Sequence, residues 1–194
     1  VLGTAIVLIY TLYGGMWSVA LTDFVQMIVI ALGLLAIAWF AADLAGGAGK
    51  VIDYAAREGK FHFFPQDGGL KEWTFFFAAA ITMMLGSIPQ QDVFQRVMSS
   101  KDADTAQRGP ILGGVFYILF AFVPMFIVMA AILVMPETPA LLADDPQKVL
   151  PTLVMEKMPV LLQVAFFGAL LSAIMSTASA TLLAPSTTFV ENIL

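Results

Sequence analysis

Five hydroxyl side chains, Ser172, Ser176, Thr177, Ser179 and Thr181, crowd into ten residues of a 33-residue stretch, Met158 to Val190, that carries no charge. On a helix, Ala173, Ser176, Thr177 and Ala180 recur at i, i+3, i+4 and i+7, so one face presents two adjacent hydroxyls framed by small side chains. Neutral oxygens of this kind, with a carbonyl freed by local distortion, suit a small hard cation such as sodium, because they ligate it without burying charge. A plainer use fits the same residues: small side chains let membrane helices approach, and Ser and Thr hydroxyls bond back to the preceding turn. Both readings stay open on these residues alone.

Two further places interrupt apolar sequence. Asp23 follows Thr22 between two uncharged runs, just after the Gly14-Gly15 pair that reads as a tight turn. A carboxylate inside a membrane is a functional residue by default, whereas a Thr-Asp pair at the start of a helix is only a cap. The segment Gly86-Ser87-Ile88-Pro89-Gln90-Gln91-Asp92 places a proline between small and polar residues deep in another uncharged run. Proline removes a backbone donor and clashes with the preceding turn, so this reads as an interrupted helix. Such breaks are tolerated where the backbone lines a cavity, and Gly86, Ser87, Pro89, Gln90 and Gln91 become candidates for a solute cavity. The alternative is a simple kink, with Gln90 to Asp92 already at the interface.

The elements that must position these residues are set by the charges between them. Of 194 residues, 60% are hydrophobic and 12% charged, about half the charge of an ordinary soluble domain. Five uncharged runs, of 22, 19, 19, 28 and 33 residues, approach or exceed the ~20 that a helix needs to cross a bilayer. The chain therefore reads as an all-α polytopic membrane protein with spans at 1–14, 16–42, 72–98, 109–135 and 158–188. Outer connections fall at 43–71 and 136–157, and a compact inner connection at 96–108 holds Arg96, Lys101 and Arg108. A short interfacial helix is expected over Val51 to Phe61, and Pro139, Pro146 and Pro151 mark the second outer connection as an exposed loop. Val1 is no initiator, so a piece of a larger protein is expected. With 9 Lys+Arg against 14 Asp+Glu there is no basic face for nucleic acid, and one His with no Cys leaves no zinc, iron–sulfur or thiol chemistry. No enzyme is expected, because no clustered His or paired intramembrane carboxylates appear.

At these three places the chain resembles the sodium:solute symporter family, whose members include proline, glucose, choline and sialic acid carriers. Tyr10-Thr11-Leu12-Tyr13-Gly14-Gly15 through Thr22-Asp23-Phe24-Val25-Gln26 is similar to the family's Y-T-x-x-G-G…T-D-x-x-Q signature. Phe94-Gln95-Arg96 is similar to its Q-R after the broken helix, and Ser172 to Thr177 to its A-x-M-S-T/S sodium motif. The resemblance implies a fragment of a five-plus-five inverted-repeat fold, at about core helices four to eight, in a multi-pass protein of the plasma membrane. It implies sodium held by the Ala173 carbonyl and the Ser176 and Thr177 hydroxyls, together with carbonyls of the first core helix in the remainder of the same transporter. It further implies a second ion, or an ion exit path, at Asp23 and Ser179, although Ala180 stands where other members have Ser.

Gly86-Ser87-Ile88-Pro89 is most similar to the choline-transporter-like branch, but Gln90 replaces that branch's Trp. Losing an aromatic face argues against a quaternary ammonium. The expected function is sodium-coupled symport of a small polar organic solute across the lipid bilayer, with Na+ as coupling ion and no other cofactor. The competing class is a non-transporting scaffold or channel subunit in which the small residues serve packing alone.

Overall fold

The computed structural model describes residues 2–66, 68–86, 88 and 90–193. In chain order the helices are α1 (Leu2–Leu44), α2 (Ala48–Arg57), α3 (Leu70–Gly86), α4 (Gln91–Met98), α5 (Ala103–Val134), α6 (Thr138–Asp144), α7 (Val149–Lys157) and α8 (Val160–Asn192), with a 3-10 turn at Pro146–Lys148. No strand occurs among the described residues. Three helices are long and apolar enough to cross a membrane: Ala5–Leu44, Ala103–Val134 and Val160–Val190.

The first of these is two helices meeting at Gly15, whose φ of 52° and ψ of −145° are not helical. Gly3 lies 3.8 Å from the Met175 side chain when given a Cβ, while Asp23 bonds to Ser176, the next residue of α8. A continuous helix would hold Gly3 and Asp23 about 30 Å apart. Contact with adjacent residues of one helix therefore requires the chain to fold back at Gly15. That positive φ demands glycine, and a Cβ on Gly14 would fall on the Ser18 Cβ.

The helix α1 packs most extensively on α8 and next on α5. The buried core gathers at one end, where Ile37 and Ala41 of α1, Ile127 and Ala131 of α5, and Leu153 and Val154 of α7 meet Phe166 of α8. The amphipathic α2 turns Val51 and Ala55 into this core, one turn apart, and leaves Ile52 exposed. Most other large apolar side chains face outward, as lipid or further protein requires. None of α3 is buried. Its start is an aromatic cluster, with Phe64 and Phe76 at 5.8 Å and Trp73 and Phe77 at 5.7 Å between ring centroids.

Three boundaries differ from the sequence expectation, each for a local reason. The short helix runs over 48–57 rather than 51–61, ending where Gly59 takes a φ of 66°. The segment 136–157 is helical, not an exposed loop: Pro139, Pro146 and Pro151 each sit in the first turn of a helical segment, where a missing N–H costs nothing. The connection after α4 shortens to 99–102 because Asp102 caps α5, accepting from the Thr105 N–H at 2.7 Å. Hydrogen bonds from the Thr105 hydroxyl and N–H hold the Asp102 carboxyl below its ordinary pKa.

Thr138 is fully buried and donates to the Ala131 carbonyl at 3.0 Å, tying α6 onto the end of α5. Thr138→Val should lower the unfolding free energy of the full-length carrier by about 1 kcal/mol, whereas Thr138→Ser should not. Thermal unfolding in detergent checks this, and a Thr138→Val carrier as stable as the parent would assign the site to packing alone.

Candidate functional site

Opposite the packed end, two of the three interrupted places meet, at Asp23 and Ser176, and Arg96 of the helix that follows the third joins them. Asp23 lies on the second half of α1, which continues as helix through Thr22, so Thr22-Asp23 does not cap a helix. The Thr22 hydroxyl instead donates back to the Ser18 and Val19 carbonyls, at 3.0 and 2.9 Å. The Asp23 carboxylate accepts from two other helices. The Ser176 hydroxyl donates to Oδ1 at 2.6 Å, and the Arg96 guanidinium of α4 donates through Nη2 to Oδ2 at 2.8 Å. A second tie between α4 and α1 runs from the Ser99 hydroxyl to the Met16 sulfur at 3.6 Å.

Along α8 the candidate ion ligands divide between two faces. Ser176 turns toward α1. One residue on, Thr177 turns away and is exposed, its hydroxyl 3.0 Å from the Ala173 carbonyl. Ala173 and Thr177 line an open groove of about 610 Å³ with Ile174, Ala178, Thr181 and Leu182. Ser179 is fully buried, and its hydroxyl donates to the Ser176 carbonyl at 2.8 Å. Among the described residues no three His, Cys, Asp or Glu side chains converge. The described oxygens here are the Ser176, Thr177 and Ser179 hydroxyls, backbone carbonyls and the Asp23 carboxylate.

The helix break is present: α3 ends at Gly86 and α4 begins at Gln91, with Gln90 in extended conformation at its start. Gly86, Gln90 and Gln91 are exposed, and Ser87 and Pro89 lie outside the described residues. The break therefore has an open side toward whatever adjoins α3.

The family model for the sodium:solute symporter family matches residues 1–194. The chain belongs to that family. It is 30% identical over 203 residues to the high-affinity choline transporter 1 of Drosophila melanogaster, covering 100% of this chain and 31% of that protein. The human high affinity choline transporter 1 is likewise 30% identical over 212 residues, covering 100% and 34%. The sodium/pantothenate symporter of Haemophilus influenzae is 27% identical over 186 residues, covering 95% and 37%. No solved structure matches. The chain spans about a third of the length of the curated relatives it matches. It is a multi-pass protein of the plasma membrane, and its relatives are transporters, not enzymes.

Membership in this symporter family gives the signature residues a physical reading. Tyr10 Oη, Thr11 Oγ1, Gln26 Oε1 and Gln95 Nε2 are buried without a hydrogen-bond partner, and all four belong to the Y-T-x-x-G-G, T-D-x-x-Q and Q-R motifs. Buried polar atoms are normally satisfied, so these four set the signature motifs apart from ordinary apolar packing. The sequence reading placed Arg96, Gln26 and Gln95 in motifs without assigning them to the site. The signal was the spacing: Gln26 stands one turn after Asp23, and Gln95 adjoins Arg96.

Proposed function

We propose that this chain is part of a carrier that couples inward sodium flow to uptake of a small polar organic solute by alternating access. The Ser176–Asp23 hydrogen bond of 2.6 Å supports this reading best, because it joins residues 153 positions apart that belong to two separate family motifs. Sodium is held at the Ala173 carbonyl and the Ser176 and Thr177 hydroxyls. Oxygens from the remainder of the same carrier complete the cage across the groove beside Thr177. Asp23, with Ser179, serves a second ion or the route by which the first departs. The ion drives transport only by binding the outward-open and inward-open states with different affinity.

The solute occupies the helix break, for which Gly86, Ser87, Pro89, Gln90 and Gln91 are the candidate residues. The relatives are named for choline, pantothenate and glucose. Gln90 offers a carboxamide rather than an aromatic face, which favours a solute recognised by hydrogen bonds over a quaternary ammonium.

The test is uptake by the full-length carrier in proteoliposomes, with labelled choline, pantothenate and glucose offered separately under an inward sodium gradient. Ser176→Ala and Thr177→Ala should each raise the sodium half-saturation about fivefold, the equivalent of ~1 kcal/mol. An unchanged half-saturation in both removes the sodium site, and uptake indifferent to sodium removes the symport reading.

A further inference from the structure

We infer that Arg96 is a tethered cation that competes with sodium for the Asp23 carboxylate, taking that carboxylate over as the ion departs. This rests on the reading of Asp23 as a station on the ion's path. Both carboxylate oxygens are engaged: Oδ2 by Arg96 Nη2 at 2.8 Å and Oδ1 by Ser176 Oγ at 2.6 Å. A sodium ion drawing on Asp23 would meet the guanidinium within a few ångströms, and the two like charges repel. One must move for the other to settle.

The exchange is physically accessible. The side chains of Arg96 and Asp23 are 39% and 22% exposed, so the pair is reachable rather than sealed. A guanidinium is weakly hydrated and loses little on moving onto a carboxylate, whereas the departing sodium regains its water.

The place of Arg96 in the chain links this exchange to the solute. It sits about 9 Å along α4 from Gln90, at the edge of the helix break. The helix α4 packs on α8 and α5, while α3 before the break stands apart from the long helices. Movement at the break therefore carries Arg96 toward or away from Asp23 through the six helical residues from Gln91 to Arg96. Arg96 is a positioning residue in this scheme, setting when Asp23 is available.

The experiment uses the purified full-length carrier, titrated with sodium chloride against potassium chloride at constant ionic strength. Sodium binding is read from the rise in Tm, and inhibition by sodium on the trans side from uptake in proteoliposomes. Arg96→Gln should bind sodium roughly fivefold more tightly, in the range of coupled sites, and be inhibited by lower trans sodium. Arg96→Met is a second neutral variant, and either one suffices. Arg96→Lys, which keeps the charge, should remain close to the parent. With Asp23→Asn already present, Arg96→Gln should change sodium binding no further, because both act on one carboxylate. If Arg96→Gln and Arg96→Met leave binding unchanged or weaken it while Asp23→Asn shifts it, the inference is overturned and the role of Asp23 stands. Binding indifferent to Asp23→Asn removes both.

Discussion

Asp23→Ala should raise the sodium half-saturation of the full-length carrier about tenfold or more, the largest effect expected of any side chain in the site. The variant removes the carboxylate on which the ion draws and deprives the Ser176 hydroxyl of its acceptor. Contacts to a charged group contribute about 1.5–3 kcal/mol, and the partial exposure of Asp23 places the loss toward the lower end. About 1.4 kcal/mol is tenfold in affinity. Asp23→Asn keeps an oxygen for Ser176 and removes only the charge, so it should lie between Ala and the parent. Sodium titration of uptake decides the matter. A sodium dependence identical to the parent in Asp23→Ala would show that the carboxylate only braces three helices.

The second large effect is on folding rather than on the ion. Gly15→Val should sharply reduce the yield of folded carrier, and Gly15→Ala should destabilise it by about 1–3 kcal/mol. The cause is torsional: a Cβ at Gly15 meets nothing within 4 Å, yet its φ of 52° with ψ of −145° lies where side chains are strained. Gly14 is the opposite case, helical in conformation but with its Cβ position taken by Ser18. Ser18→Gly should therefore rescue Gly14→Ala and leave Gly15→Ala unimproved. Monodispersity in size-exclusion chromatography and thermal unfolding measure both. A Gly15→Val carrier as stable as the parent would mean that α1 does not reverse at this residue.

If the hairpin at Gly15 and the Asp23 cluster behave in this way, the two glycines and the carboxylate form one device. The reversal brings the first half of α1 alongside α8, leaving the second half free to present Asp23 to Ser176.

Much of this architecture is legible in residue type alone. Long uncharged runs dictate membrane-length helices because hydrocarbon tolerates no unpaired charge, and paired glycines or a proline among small residues mark breaks because the backbone there cannot continue as helix. The break between Gly86 and Gln91 and the reversal at Gly15 follow from that. Helix ends do not. Asp102, Pro139, Pro146 and Pro151 read as loop by charge and proline content, yet they start helices, because a first turn has no internal partner for its N–H groups. A further difference lies in the hydroxyls of α8. Periodicity puts Ser176 and Thr177 on one broad face, but only packing against α1 separates them, sending Ser176 to Asp23 and Thr177 to the open groove.

By itself, then, the amino-acid order determined the class of the protein, its family and the residues able to do chemistry, since each follows from local polarity and spacing. That Arg96 and Ser176 share the two oxygens of Asp23 was decided by the tertiary structure. No local rule relates residues 23, 96 and 176; their meeting depends on a chain reversal at Gly15 and on the docking of a short helix against α8, and such contacts exist only once the helices have packed.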